Sequence, residues 1–196
     1  IIELHNRPIY LKYLVNELKD KNYILYFHND PLSMSGSKTI NERIFLLNNC
    51  YRIVFNSNWS KKRFLQKMKS EAINSEKLLV INQSATKNKI NFNKKKNWIT
   101  FVGKLNKSKG YDIFGKAIIK VLNNHKNWKG LVIGDEQRDK IIFQHKNLIQ
   151  HGFLRHNSVL DIYKKTSIAV ICSRWEEPFG RTSLEAASNG CAVIIS

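Results

Sequence analysis

Short apolar runs recur along the chain between turn residues. IIELH, YILYFH, RIVFNS, KLLVIN, WITFVG, GLVIG, LIQHG, SIAVICS and AVIIS are the runs, and they predict nine strands. Between most of them the apolar period lengthens to that of a helix. In YDIFGKAIIKVLNNH, Ile113, Phe114, Ala117, Ile118, Val121 and Leu122 fall on one face and leave Lys116, Lys120 and Asn124 for solvent. SNWSKKRFLQKM offers Ser57 or Asn58 as the N-cap of a helix with a basic face. Strands alternating with helices predict an α/β fold of parallel sheets covered by helices.

One segment breaks the rhythm. NQSATKNKINFNKKKN, Asn82 to Asn97, is polar, basic and without a usable period. It predicts a linker between two Rossmann-like units, 1–88 and 89–196. The last run, AVIIS, is apolar on both faces, as an interior strand would be, and nothing after it covers it. The first residue is Ile rather than Met. Both units therefore read as incomplete, and the chain as part of a longer one.

Composition narrows the class. With 196 residues, 42% of them hydrophobic, the chain has enough apolar surface for a core. No apolar run approaches the roughly 20 residues that span a bilayer, and the start lacks a signal peptide's pattern. A cytoplasmic protein is expected, in reach of the inner face of the membrane. Cys50, Cys172 and Cys191 sit among apolar neighbours without metal-ligand spacing, which predicts buried thiols in a reducing compartment. The net charge of +18 calls for an anionic partner: a nucleotide, a membrane surface or nucleic acid. The chain is also rich in Asn, Lys and Ile, so part of that charge reads as scattered solvated lysine.

Candidate chemistry lies at the strand ends, because ligands of open parallel sheets bind beyond the carboxyl ends of the strands. After SIAVICS, Pro178 and Gly180 stop the strand, Arg181 or Thr182 starts a helix, and Asn189-Gly190 ends it. The amides from Phe179 to Thr182 form a positive helix terminus suited to phosphate. Glu177 precedes it and Glu185 lies about a turn inside, where carboxylates can accept sugar hydroxyls. As an isolated pair they would equally serve the helix dipole or solvent. After WITFVG, the loop KLNKSKG sets Lys104, Lys107 and Lys109 between Gly103 and Gly110, without dinucleotide-fingerprint or Walker spacing. DEQRD and FLRHN open on the same edge. In the first unit, YILYFHNDP ends a strand at His28, and IIELHNRP does so at His5. Either can hydrogen-bond a substrate or serve structure alone. No nucleophilic triad and no metal cluster is evident, so no metal is expected.

Taken in order, these segments resemble a known family. FVGKLNKSKGYDIFGKAI and EEPFGRTSLEAASNGCAVIIS, with its E-x7-E motif, resemble the retaining glycosyltransferases of family 4, and the likeness runs from Trp98 to Ser196. IIELHNRP, YFHNDP and RIVFNSNWSKKRF resemble, more loosely, members that build bacterial surface polysaccharides. The resemblance implies a GT-B type fold of two Rossmann-like domains, with a nucleoside diphosphate sugar held mainly by the second and a glycan or lipid-linked acceptor by the first. It also implies no cofactor beyond that donor substrate and no specific nucleic acid. Lys104 and Lys109 fall where the family neutralises the diphosphate, with Gly103 beside them. Glu185 falls where it binds the ribose, Glu177 where it contacts the sugar, and His28 where a first-domain histidine reaches the sugar. Phe179, Gly180, Arg181 and Thr182 lie by the sugar and phosphates. The chain departs from the family in having Lys rather than Arg at 104, no first-domain glycine-rich loop, and no C-terminal crossing helix. Two rival readings remain: a sugar-nucleotide binder without catalysis, and a basic nucleic-acid-binding protein.

Overall fold

A computed structural model describes residues 1–68, 75–86, 88–138 and 141–196. Lys87 of the expected linker and Asp139 of DEQRD lie outside them. Strands form at all the expected runs: β1 Ile2–His5, β2 Tyr23–Phe27, β3 Arg52–Phe55, β4 Leu78–Val80, β5 Lys96–Val102, β6 Lys129–Ile133, β7 Leu148–Gln150, β8 Thr166–Ile171 and β9 Ala192–Ile195. The helices are α1 Leu11–Glu17, α2 Ile40–Asn49, α3 Asn58–Leu65, α4 Tyr111–Asn124, α5 His156–Lys165 and α6 Arg181–Ser188. Every strand pair is parallel.

The chain divides into two compact units, 1–83 with Glu177–Phe179, and 84–176 with 180–196. The first boundary thus falls before Ser84 rather than after residue 88. Asn88 groups with the second unit, where its Nδ2 donates to Asn189 Oδ1 at 3.0 Å. Glu177–Phe179 of the β8–α6 loop groups with the first unit, not with the expected 89–196.

The first unit's sheet runs β1-β2-β3-β4. Its core joins Leu4, Leu25 and Ile53 to three aromatic rings, Phe27, Phe55 and Phe64, with centroids 5.3 to 5.7 Å apart. Ser57 caps α3 by accepting from the Ser60 amide at 3.1 Å. Arg43 is buried, and its guanidinium donates to the carbonyls of Phe64 and Gln66 at the end of α3.

The second sheet runs β7-β6-β5-β8-β9 and is covered on both faces. Ile99, Phe101 and Val132 pack with Tyr111, Phe114, Ile118 and Leu122 of α4 on one face. Ile133 and Ala169 pack with Val159 and Tyr163 of α5 and Ala186 of α6 on the other. The helical period found the α4 face, but Ile113 and Ala117 are exposed; Tyr111 and Gly115 are buried in their place. β9 lies at the edge of the sheet among the described residues, with Ile194 and Ile195 exposed, as expected of an apolar run that nothing in this sequence covers. All three cysteines are free and buried, and burial pushes the Cys50 thiol up to about 12.

The expected linker is anchored at its end. Lys95 Nζ donates to the carbonyls of Asn189 (2.7 Å), Thr166 (2.8 Å) and Tyr163 (3.0 Å), joining the entry of β5 to the ends of α5 and α6. Three carbonyls on one ammonium are hard to satisfy otherwise. Lys95→Met keeps the stem and strands all three, so it is expected to destabilise the second unit by about 1.5 to 3 kcal/mol. Urea denaturation checks this, and a loss below about 0.5 kcal/mol, the ordinary range for a surface substitution, would show that the carbonyls find water instead.

Candidate functional site

In the second sheet the strand order reverses at β5: the chain steps outward from β5 to β6 and β7, then crosses back to β8 on β5's other side. The loops leaving β5 and β8 therefore depart in opposite directions and open a crevice at their carboxyl ends. These two loops carry the lysines and the glutamates.

The lysine loop is shaped by Asn106. Its Oδ1 accepts from the Lys109 amide at 3.0 Å and from Ser108 Oγ at 2.9 Å, while its Nδ2 donates to Glu136 Oε2 at 3.3 Å. Gly103 ends β5, with its amide on the Ile133 carbonyl at 3.0 Å. Lys104 and Lys107 are exposed and Lys109 is half-buried. Gly110, at φ 71°, caps α4 so close to β8 that a Cβ would collide with the Cys172 carbonyl. From sequence Gly110 reads as a glycine that permits close backbone approach; the backbone it approaches is that at the end of β8.

The two loops are bonded to one another. The Arg174 amide donates to the Ser108 carbonyl at 2.9 Å, and its guanidinium reaches the Lys107 carbonyl at 2.6 Å. That guanidinium also grips both oxygens of Asp112, in the first turn of α4, at 2.6 and 2.8 Å. The Arg174 hydrogen bonds and charge hold the Asp112 carboxyl down to about 2, against an ordinary 3.8. Arg174 was not singled out from sequence, although it immediately follows the strand run.

At the other lip, Gly180 takes φ 77° and starts α6 at Arg181. The first-turn amides of Arg181 and Thr182 point out of the helix end, where no helical carbonyl can satisfy them. Glu185, one turn on, is buried and accepts from Arg181 Nε at 2.7 Å and His156 Nε2 at 3.0 Å. Both donors meet Oε1, so Oε2 has no donor among the described residues. Glu185 borders a small cavity of about 90 Å³ whose other walls include Ser84, Thr86, Asn88, His156 and Arg181. His156 is the residue that sequence reasoning missed; its only signal was the FLRHN loop on the same edge.

The structure thus brings Gly103, Lys104, Lys109, Gly180, Arg181, Thr182 and Glu185 to one edge of the second unit. Glu177 is exposed and, like Phe179 and His28, is grouped with the first unit. His28 ends β2, where its amide donates to Asn6 Oδ1 at 2.8 Å and its ring meets His5, with 2.9 Å between Nε2 and Nδ1. Burial and the neighbouring His5 charge both lower the His28 pKa. Among the described residues, no group of three or more His, Cys, Asp or Glu could hold a metal ion, and no helix is long and apolar enough to cross a membrane.

The model of the family "Glycosyl transferases group 1" matches residues 82–196, more than half of the chain and all of this edge. The chain belongs to that family. It is 33% identical over 106 residues to an uncharacterised glycosyltransferase of Methanocaldococcus jannaschii, covering 50% of this chain and 26% of that one. Among solved structures, an Anabaena protein, HepE, in complex with UDP and glucose aligns with a TM-score of 0.71 at 16% identity, over 98% of this chain and 58% of that one. The pneumococcal O-GlcNAc transferase GtfA with UDP and GlcNAc aligns at 0.69 and 13% identity, over 94% and 39%. A glycosyltransferase of Rickettsia africae aligns at 0.69 and 17% identity, over 100% and 57%. These neighbours share the GT-B fold of parallel α/β units. The chain spans about a quarter to three-fifths of the length of these relatives.

The Asp112–Arg174 pair gives a pH signature. Asp112's folded pKa is depressed, so its contribution is complete above about 3.8 and is lost as pH falls through about 2. Asp112→Asn is expected to be less stable than the parent at neutral pH, with the gap closing below pH 3.8. Denaturant titrations across that window check it; a gap that stayed constant would mean that the carboxylate's charge is not what joins the loops.

Proposed function

We propose that this chain binds a nucleoside diphosphate sugar and serves transfer of its sugar, with retention at the anomeric carbon, to a hydroxyl of a glycan or lipid-linked acceptor. The observation that carries the reading is the second sheet's switch point, where a lysine loop bonded to the β8 loop faces a helix N-terminus backed by Glu185. The complexes of HepE with UDP and glucose and of GtfA with UDP and GlcNAc support a UDP-hexose as donor.

Each residue then has a stated task. As the bond from sugar to diphosphate breaks, negative charge grows on the leaving oxygen. Lys104, Lys109 and the amides of Arg181 and Thr182 stabilise that charge, an electrostatic role for preorganised donors and cations. These protein charges let the step proceed without a metal or further cofactor. Lysine at 104 supplies a point charge rather than arginine's bidentate fork. Gly103 and Gly180 admit the phosphates close to the backbone. Glu185 accepts ribose hydroxyls, with Oε1 held by His156 and Arg181 and Oε2 left for the ligand. Glu177 and Phe179 contact the donor sugar, and His28 bonds a sugar hydroxyl. Surface polysaccharide synthesis at the cytoplasmic face of the membrane fits a charge of +18, which favours peripheral contact with anionic lipid. Because the chain spans only part of its relatives, a binder without turnover is the second reading.

Calorimetry with UDP, GDP, ADP, CMP and dTDP at low and high salt tests the proposal. One diphosphate is expected to bind at both, while random duplex DNA binds only at low salt, as counterion release requires. DNA affinity that outlasted salt, with no diphosphate bound at millimolar concentration, would sink it. Binding of donor without release of sugar would leave the second reading.

Two substitutions divide the donor. Glu185→Gln removes the charge and one acceptor from the ribose, at about 1.5 to 3 kcal/mol, or roughly 10- to 150-fold in affinity for the free diphosphate. Glu177→Gln is expected to spare the diphosphate and weaken only the intact nucleotide-sugar. Titration of both variants with both ligands, with circular dichroism as the folding control, decides it. Equal losses throughout would mean that the two glutamates do not hold separate parts of the donor.

A further inference from the structure

His28 is half of a pair, and the pair is built. The parallel register of β1 and β2 sets His5 beside Tyr26, and the two rings stack face to face, 4.5 Å between centroids and 5° from parallel. The chain then turns at Asn6, in the left-handed region at φ 54°, and Asn6 Oδ1 accepts from the amides of His28 at 2.8 Å and Asn29 at 3.3 Å. Asn56 Nδ2 donates to the His28 carbonyl at 2.8 Å from the other side. The backbone of His28 is thus held from both neighbouring strands.

The two histidine rings are 4° from parallel, with centroids 5.2 Å apart, yet His5 Nδ1 and His28 Nε2 are separated by only 2.9 Å. That is closer than the roughly 3.5 Å at which stacked ring atoms rest, so the rings meet edge to edge. They share an N–H···N hydrogen bond, and in the neutral pair a single proton occupies it. Which ring supplies the proton fixes the tautomer of both.

Glu3 biases the choice electrostatically. Its Oε2 lies 3.6 Å from His5 Nε2, on the side of the ring away from His28. A carboxylate there favours a proton on Nε2, which leaves Nδ1 of the neutral His5 as a lone pair. His28 Nε2–H must then donate, and His28 Nδ1 carries the second lone pair. Of the charged residues adjacent in the chain, an Arg7 guanidinium nitrogen donates to the Asn6 carbonyl at 3.1 Å, and Asp30 pairs with Arg63 at 2.9 Å.

We infer that His5 is a positioning residue: with Glu3 it fixes His28 in the Nε2–H tautomer, so that His28 Nδ1 accepts a hydrogen bond from a sugar hydroxyl instead of donating one. The inference rests on the glycosyl-transfer reading for its ligand, but not for its geometry. Protonating the pair would turn Nδ1 from acceptor to donor. Burial of His28 and the charge on His5 both oppose that protonation, which keeps the acceptor form at neutral pH.

Long-range 15N–1H NMR of the histidine rings, followed against pH, tests it in the whole chain. In the parent, His28 is expected as the Nε2–H tautomer with a pKa below the ordinary 6.5. His5→Phe keeps a ring on Tyr26 but removes the acceptor, so the tautomer preference is expected to vanish; the lowering due to the His5 charge goes with it, while burial still holds the His28 pKa below 6.5. His5→Asn returns an oxygen near the place of Nδ1 and should restore the tautomer. Sugar turnover should fall on the order of tenfold in His5→Phe and recover in His5→Asn. An Nδ1–H tautomer in the parent, or a His28 indifferent to His5→Phe, would overturn the inference even if UDP binds. The expected tautomers in a chain that binds no nucleoside diphosphate would instead remove the glycosyl-transfer reading and the hydroxyl with it.

Discussion

The contact between Gly110 and the carbonyl of Cys172 is the constraint on which the functional edge depends. Parallel strands need crossovers, and in the order β7-β6-β5-β8-β9 the crossovers from β5 and β8 leave on opposite sides. The first turn of α4 must therefore start against the end of β8. A residue with a Cβ at position 110 would push the two apart. Close approach lets Arg174 reach Ser108, Lys107 and Asp112 together, and those bonds set the lysine loop in a fixed relation to the lip that becomes α6. The site is thus a consequence of sheet order, made tight by one glycine and tied by one arginine.

The electrostatics follow from the same arrangement. Two helices, α4 and α6, begin at adjacent strand ends: the first amides of α4 are met by the carbonyls of Asn106 and Gly110, while those of Arg181 and Thr182 in α6 find no helical carbonyl. Asp112 meets the first of these termini and is matched by Arg174. At the second terminus Glu185 is the anion, and it is held on one oxygen by a histidine and an arginine. A carboxylate anchored on one side and open on the other is suited to neutral hydroxyls. Lysines beside free amides are suited to phosphate.

Much of this was legible in the chain. The nine strands showed as apolar runs because a parallel strand covered on both faces needs apolar residues throughout. Lys104, Lys109, Gly180 and Glu185 could be placed because strand-end position follows directly from the strands. What escaped was long-range. Lys95 read as one more linker lysine, since its three carbonyl partners lie 68 or more residues away. His156 and Glu185 meet across two helices, and His5 and His28 across two strands, with no local pattern to announce either pair. The face of α4 was misplaced at Ile113 and Ala117 because helical period alone does not say that Tyr111 and Gly115 turn inward.

The crevice between the β5 and β8 loops is proposed to receive a nucleoside diphosphate. Amide NMR of the chain during titration with UDP tests it most directly. Shifts concentrated at Gly103 to Gly110 and at Gly180 to Glu185 are the result it predicts. Shifts confined to the basic groove of Lys89, Lys94, Lys164 and Lys165, or spread over lysines at large, would contradict it.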